Sequence, residues 1–226
     1  MYHIYSIEGN IGSGKSTLVR RLQQMNSNIV FMLEPVDEWG EIKDRKGENI
    51  LTKFYKDQVK YSFSFQMMAY ISRLSKLKKI IKKNPYSIII TERSVLTDKN
   101  VFAKMLYDDD KIEEVNYIIY LKWFDEFIKD ISHTGFIYIQ VDPEICHERV
   151  EKRNRIGETI SVEYLKKCHD YHEKWLKKEE NVLFLNGNVD FETDNNQMEI
   201  INQQINTFIT QKSICSCIRL MTIAGC

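Results

Sequence analysis

The sequence predicts an α/β domain in which five parallel strands form one sheet flanked by helices. Three observations carry this. Short apolar runs alternate with helical patterns along most of the 226 residues, the order that builds a parallel sheet through crossover helices. The run Ile88-Ile89-Ile90 is apolar without interruption, as in a strand buried on both faces. A glycine-rich stretch, Gly9 to Thr17, stands between the first strand pattern and the first helix pattern.

Taken in order, the first strand is expected over 2–8, and the helix after the glycine-rich turn presents Leu18, Val19, Leu22 and Met25 inward. A second strand is expected over 29–33. From Val59 to Ile81 apolar residues recur in steps of three and four, predicting a long amphipathic helix. Asn84-Pro85 stops it before a third strand over 86–91. The next helix is expected over 108–132, opening with Asp108, Asp109 and Asp110, whose carboxylates suit the positive end of a helix. A fourth strand over 135–141, a helix start at Asp142-Pro143, a helix from Val162 to Leu176, a fifth strand over 181–185 and a final helix over 196–211 complete the pattern. Residues 1–211 read as one domain without repeat or linker, and the tail 212–226 fits no recognisable pattern.

Composition narrows the functional classes. Lys+Arg and Asp+Glu are equal at 32 each, so no global basic field draws the chain to nucleic acid or to an anionic membrane. No apolar stretch approaches the roughly 20 residues that span a bilayer. The glycine-rich turn begins at Gly9, leaving no room for a signal peptide, and a cytoplasmic protein is expected. The five cysteines, Cys146, Cys168, Cys215, Cys217 and Cys226, have neither paired nor zinc-type spacing and read as free thiols.

The chemistry starts from Gly9-Asn10-Ile11-Gly12-Ser13-Gly14-Lys15-Ser16-Thr17, which fits G-x-x-x-x-G-K-[ST] in a strand–loop–helix setting. Glycines let backbone N–H groups converge on phosphate oxygens, and the helix N-terminus adds a favourable dipole. Lys15 is expected to reach the β- and γ-phosphates, and the Ser16 hydroxyl to help hold Mg²⁺. Glu34, with Pro35 and Trp39 nearby, follows the second strand, where ligands bind in open α/β sheets; a carboxylate there suits a general base. Glu92 and Arg93 follow the third strand and suit a magnesium site and a phosphate contact. Arg149, Arg153 and Arg155, with Lys152 between, form a basic cluster that suits a transferring phosphoryl group. Tyr55, Phe63, Phe65, Gln66 and Phe102 offer stacking faces and an amide that matches a nucleobase edge.

Together these motifs, in this order, resemble the deoxynucleoside kinases of the deoxycytidine/deoxyguanosine kinase family, from the glycine-rich loop to about residue 191. Ser62-Phe63-Ser64-Phe65-Gln66 with Arg73, Glu92-Arg93-Ser94 with Asp98 and Phe102, and His172-Glu173-Lys174-Trp175-Leu176 complete the match. The resemblance implies a P-loop kinase fold with an arginine-rich lid, an ATP–Mg²⁺ donor and a homodimer. It implies that Glu34 takes the proton from the sugar 5′-hydroxyl and that Arg93 contacts that oxygen. It further implies that Gln66 pairs with the base and Phe102 stacks on it, while Trp39 and Phe65 close the pocket. Tyr55 and Glu158 would hold the 3′-hydroxyl, Glu92 would serve the metal, the arginines would cover the ATP phosphates, and Asn186 to Phe191, including Asp190, would cradle adenine. Arg73 and Asp98, with the small Ala69 a turn earlier, accompany family members that prefer deoxycytidine or purine deoxynucleosides to thymidine.

The chain departs from the family in a lid one residue shorter before Tyr164 and in Gly157, which stands where an acidic residue is common. Two rival readings are a nucleoside monophosphate kinase similar to thymidylate kinase, and a catalytically silent nucleotide-binding protein. The first usually carries Asp-Arg followed by an aromatic residue where this chain has Glu92-Arg93-Ser94; the second is disfavoured by Lys15, Ser16, Glu34 and Glu92 together.

Overall fold

The computed structural model describes residues 2–155 and 158–223, with side chains through 211. Five strands, β1 (His3–Glu8), β2 (Ile29–Met32), β3 (Ile88–Glu92), β4 (Gly135–Gln140) and β5 (Val182–Asn186), form one sheet in the order β2-β3-β1-β4-β5. Every pairing is parallel, with Tyr5 opposite Ile90 on one side and Gly135 on the other. Ile4, Tyr5, Ile7, Ile89, Ile90 and Ile137 have no exposed surface, which is why these strands read as apolar runs rather than alternating ones. Because β1 is central, the loop that leaves it lies beside the ends of β3 and β4.

Helices supply the rest. α1 (Lys15–Met25) starts directly from the glycine-rich loop and buries Leu18, Val19 and Leu22 against the sheet. Two short helices, α2 (Val36–Glu41) and α3 (Ile50–Lys56), follow β2. α4 (Gln58–Lys83) is the long amphipathic helix; Asp57 caps it by accepting the Lys60 N–H at 3.1 Å, and Pro85 follows its end. After β3 come α5 (Val95–Thr97), a π-helical stretch Asp98–Ala103, and α6 (Lys104–Asp108). α7 (Glu114–Ile128) leads to β4, α8 (Pro143–Arg153) and α9 (Val162–Leu176) lead to β5, and α10 (Asn195–Ile223) ends the described chain.

One expected helix is divided. The predicted 108–132 segment begins instead at Glu114, and Asp108 closes α6. Backbone N–H groups of Asp109, Asp110, Lys111 and Ile112 turn back onto the carbonyls of Met105, Leu106 and Tyr107, with Asp110 left-handed at φ 54°. Aspartate tolerates that conformation, so the acidic run ends a helix rather than starting one. Lys167 pairs with Asp109 at 2.7 Å and Tyr171 donates to Asp108, offsetting charge at the negative end of α6. α10 likewise runs further than the expected 196–211. Ile156, Gly157 and the side chains of Cys215, Cys217 and Cys226 lie outside the described residues; Cys146 and Cys168 are free and buried. No helix among the described residues is long and apolar enough to cross a membrane.

Candidate active site

The C-terminal ends of β1, β2 and β3 open into one cavity of about 730 Å³ that extends under the end of α8. Its phosphate end is local in sequence. Gly12 and Gly14 have φ of 82° and 89°, which only glycine adopts without strain. A Cβ on Gly12 would lie 2.4 Å from the Cys146 carbonyl oxygen, and one on Gly14 2.7 Å from the Phe191 ring. Ile11, Lys15, Ser16 and Thr17 also line the wall. Gly9, Asn10 and Ser13 do not; they shape the loop from behind. Asn10 donates to the Leu165 carbonyl at 2.9 Å, and Ser13 N–H donates to the Asn10 carbonyl at 3.2 Å. Lys15 Nζ folds back onto the Asn10 carbonyl at 2.5 Å. Burial, and then Arg93, push its amine down to about 7, so a bound polyphosphate would restore its charge.

Ser16 Oγ donates to Glu92 Oε1, while Glu92 Oε2 accepts the Glu34 N–H at 3.2 Å. A hydroxyl and a carboxylate side by side at a helix N-terminus are hard oxygen donors of the kind that, with phosphate oxygens, hold Mg²⁺.

Glu34 is the hub of the other half. Its carboxylate receives Arg93 at 2.9 Å and Arg73 at 2.7 Å. Burial works to raise this acid, but Arg93 and Arg73 outweigh it and hold the carboxyl at about 2. Arg73 is 1% exposed and all three of its nitrogens donate: Nε to Asp98 at 2.9 Å, one terminal nitrogen to Glu34 and the other to the Glu92 carbonyl at 3.1 Å. Burial pushes the Asp98 carboxyl up to about 6 against the pull of Arg73.

Aromatic side chains enclose the space beside this charge network. Phe65 stacks on Phe54 with centroids 4.6 Å apart and meets Trp39 edge-on at 5.7 Å. Arg93 lies over the Phe102 ring at 5.2 Å. Asp98 and Phe102 reach the same cavity from the π-helical stretch, an irregularity common at functional sites. Gln66 lines the cavity with its Oε1 buried and unpartnered, the state of a group awaiting a ligand. Ala69 lies one turn further along α4. Tyr55 and Glu158 face each other closely enough that, after burial, the Glu158 charge is the main influence raising the phenol. Glu158 also pairs with Arg153 and lies 3.9 Å from Arg155.

The cavity therefore gathers Glu34, Trp39, Tyr55, Phe65, Gln66, Ala69, Arg73, Glu92, Arg93, Asp98, Phe102 and Glu158 with Arg149, Arg153, Arg155, Asp190 and Phe191. Phe63 is excluded: two residues before Phe65, it lies on another face of α4 and packs against the cluster that contains Tyr70 and Phe124. Arg20, Leu51 and Phe54 also line the wall without having been singled out. Arg20 follows Ser16 by one helical turn, a spacing that marks it; Leu51 and Phe54 lie on a short helix whose orientation no local pattern announces.

A family model for deoxynucleoside kinases matches residues 5–210. Among relatives, the chain is 38% identical over 216 residues to a probable deoxycytidine kinase of fowlpox virus (strain NVSL), covering 91% of this chain and 88% of that one. It is 32% identical over 234 residues to a mitochondrial deoxyguanosine kinase of Xenopus laevis (90% and 88% covered). It is 35% identical over 192 residues to human deoxycytidine kinase (76% and 74%).

Proposed function

The chain belongs to the deoxynucleoside kinase family, which transfers the γ-phosphate of ATP to a deoxynucleoside, and we propose that Glu34 is its general base, acting on the 5′-hydroxyl of deoxycytidine or a purine deoxynucleoside in preference to thymidine. The single observation behind this is the placement of Glu34 between Arg73 and Arg93 in the same cavity as Lys15. The sugar 5′-oxygen would lie against Glu34 and Arg93, with Tyr55 and Glu158 holding the 3′-hydroxyl. Two arginines keep Glu34 ionised and fixed in direction. A weakly basic carboxylate suffices because in a loose transition state the hydroxyl becomes acidic only as the oxygen bonds to phosphorus. Lys15 and the backbone of the glycine-rich loop take the donor phosphates, Arg149, Arg153 and Arg155 cover them and exclude water, and the loop to Phe191 receives the adenine. Ser16 and Glu92 would hold magnesium, which when bound would neutralise charge on the donor phosphates.

Gln66, with its free amide oxygen, and the Arg73–Asp98 pair would read the base edge while Phe102 and Phe65 stack on it. The names of the relatives support the preference for deoxycytidine and deoxyguanosine, and a match spanning residues 5–210 disfavours both the monophosphate kinase and the silent-binder readings. Glu34→Gln tests the base: kcat should fall about 10²–10⁴-fold with deoxynucleoside affinity kept, and near-normal turnover would remove Glu34 from the mechanism.

We also infer a homodimer. On α7 Val115, Ile118, Trp123 and Phe127 are 59%, 46%, 48% and 39% exposed, and Ile71 on the neighbouring α4 is 49% exposed, an apolar stripe of the kind that marks an interface. Trp123→Glu should convert a dimer to a monomer in sedimentation equilibrium; a wild-type monomer would refute this. Free, buried Cys146 and Cys168 suit a reducing compartment such as the cytoplasm, and fluorescence microscopy of the tagged chain tests that placement.

A further inference from the structure

Glu8 ends β1 with no exposed surface and is not on the wall of the cavity. Its carboxylate accepts from Ser6 Oγ at 2.6 Å, from the Ser94 N–H at 3.0 Å and from Thr97 Oγ1. Ser6 Oγ also contacts His133 Nε2 at 2.9 Å; since the hydroxyl hydrogen goes to Glu8, the histidine donates. None of the ion pairs among the described residues includes Glu8. A buried acid held only by neutral donors is costly, and its place in the fold suggests what it secures.

Two of its three donors belong to the turn that follows Arg93. Arg93 itself is left-handed at φ 58°, a conformation rare for a long side chain and kept only when surroundings impose it. The imposition is visible on both sides of the residue. Its own N–H donates to the Ile7 carbonyl at 3.0 Å, and the next N–H, that of Ser94, donates to Glu8. Ser94 and Thr97 then cap each other to start α5, with the Thr97 hydroxyl anchored on the second Glu8 oxygen. Consecutive residues of the central strand thus clamp both peptide groups flanking Arg93. The result directs the guanidinium onto Glu34 and the face of Phe102. The negative charge of Glu8 also favours the charged form of Arg93.

We propose that Glu8 is a positioning residue for Arg93: it holds the strained turn that aims this arginine at the reacting oxygen, and does so apart from the nucleotide-binding loop that begins at the very next residue. The proposal rests on the reading that Arg93 contacts the 5′-oxygen during transfer.

A double-mutant cycle on the full-length protein tests it, using Glu8→Gln, Arg93→Ala and the combination. The readouts are kcat and KM for deoxycytidine and ATP, with ATP affinity measured by calorimetry. Glu8→Gln should lower kcat about 10- to 100-fold, the effect of a misplaced catalytic group, with ATP affinity unchanged. In the Arg93→Ala background the same change should cost nothing further, because its only target is gone. A loss confined to KM or affinity for ATP would place Glu8 in the service of the phosphate loop and overturn the proposal, as would losses that multiply independently. If Arg93→Ala alone keeps normal kcat, the underlying reading of Arg93 fails instead, a distinguishable result. Should Glu8→Gln fold poorly, Thr97→Val removes one anchor of the turn; it should lower kcat in the wild-type background and not in Arg93→Ala, and full kcat in Thr97→Val would overturn the proposal.

Discussion

At one end of the cavity Gly12, Gly14, Lys15 and Ser16 come from a single uninterrupted stretch; at the other, Glu34, Gln66, Asp98 and Glu158 arrive from the turn after β2, α4, the π-helical turn and the segment after α8. The first end works largely through backbone: positive φ angles, convergent N–H groups and one lysine. The second works through side chains locked to one another, above all Arg73, which ties Asp98 to Glu34. On the proposed reading, backbone geometry takes the phosphate, which is common to every donor nucleotide, and the interlocked side chains take a particular base. Substitutions at the two ends should therefore fail differently.

Among the changes that separate the two ends, Lys15→Met should give the largest effect, a loss of about 10²–10³-fold in kcat/KM that is the same for all four deoxynucleosides. A loss that varied with the base would break the division between the ends. Replacing Arg73 by Met and Asp98 by Ala together should raise the ratio of thymidine to deoxycytidine kcat/KM by about 10–100-fold, leaving ATP affinity in place; an unchanged ranking in a substrate panel would break it from the other side. Gly14→Ala meets both the φ of 89° and the Phe191 ring. It should destabilise by about 1–3 kcal/mol and weaken ATP binding but not deoxynucleoside binding, as read by thermal unfolding and calorimetry. The smallest effect sharpens the comparison through pH. In the free protein Lys15 is pushed down to about 7, and phosphate oxygens raise it. Below that pH the amine is already charged and affinity is flat; above it, binding ATP must take up a proton, so affinity declines as pH rises, by at most about tenfold per unit. Calorimetry at pH 8 in two buffers of different ionisation enthalpy should register the uptake, and none would mean that Lys15 is charged before ATP arrives.

The same division governs what the sequence disclosed. The phosphate loop, the strands and the long helix α4 were legible because each is specified by neighbours in the chain: spacing, apolar runs and a proline stop. At the nucleoside end, position after a strand and side-chain chemistry pointed to Glu34, Gln66 and several aromatics, whereas Ala69, Arg73, Asp98 and Glu158 were identified only through resemblance to a family. Nothing near Arg73 announces that it bonds to residues 39 positions before and 25 after it; only the sheet order, with β3 between β2 and β1, brings them together. Phe63 and Phe65 look alike in the chain and differ only by the helical face each occupies. The helix boundary missed at Asp108–Asp110 has a similar origin. Aspartates favour a helix start and also tolerate a left-handed stop, and packing of the buried Ile112 accompanies the latter.

The three-way tie at Arg73 has a consequence for how such an enzyme can change over generations. Losing the arginine alone leaves Asp98, 1% exposed, without its cation, so that burial drives it toward the neutral acid, and takes one of two partners from Glu34; losing the aspartate alone leaves the cation half-answered. If the pair reads the base as proposed, each single step leaves one buried group without its partner, whereas the paired step removes both. On that reading, substrate choice is guarded by the scarcity of viable intermediates as well as by the fit of the pocket.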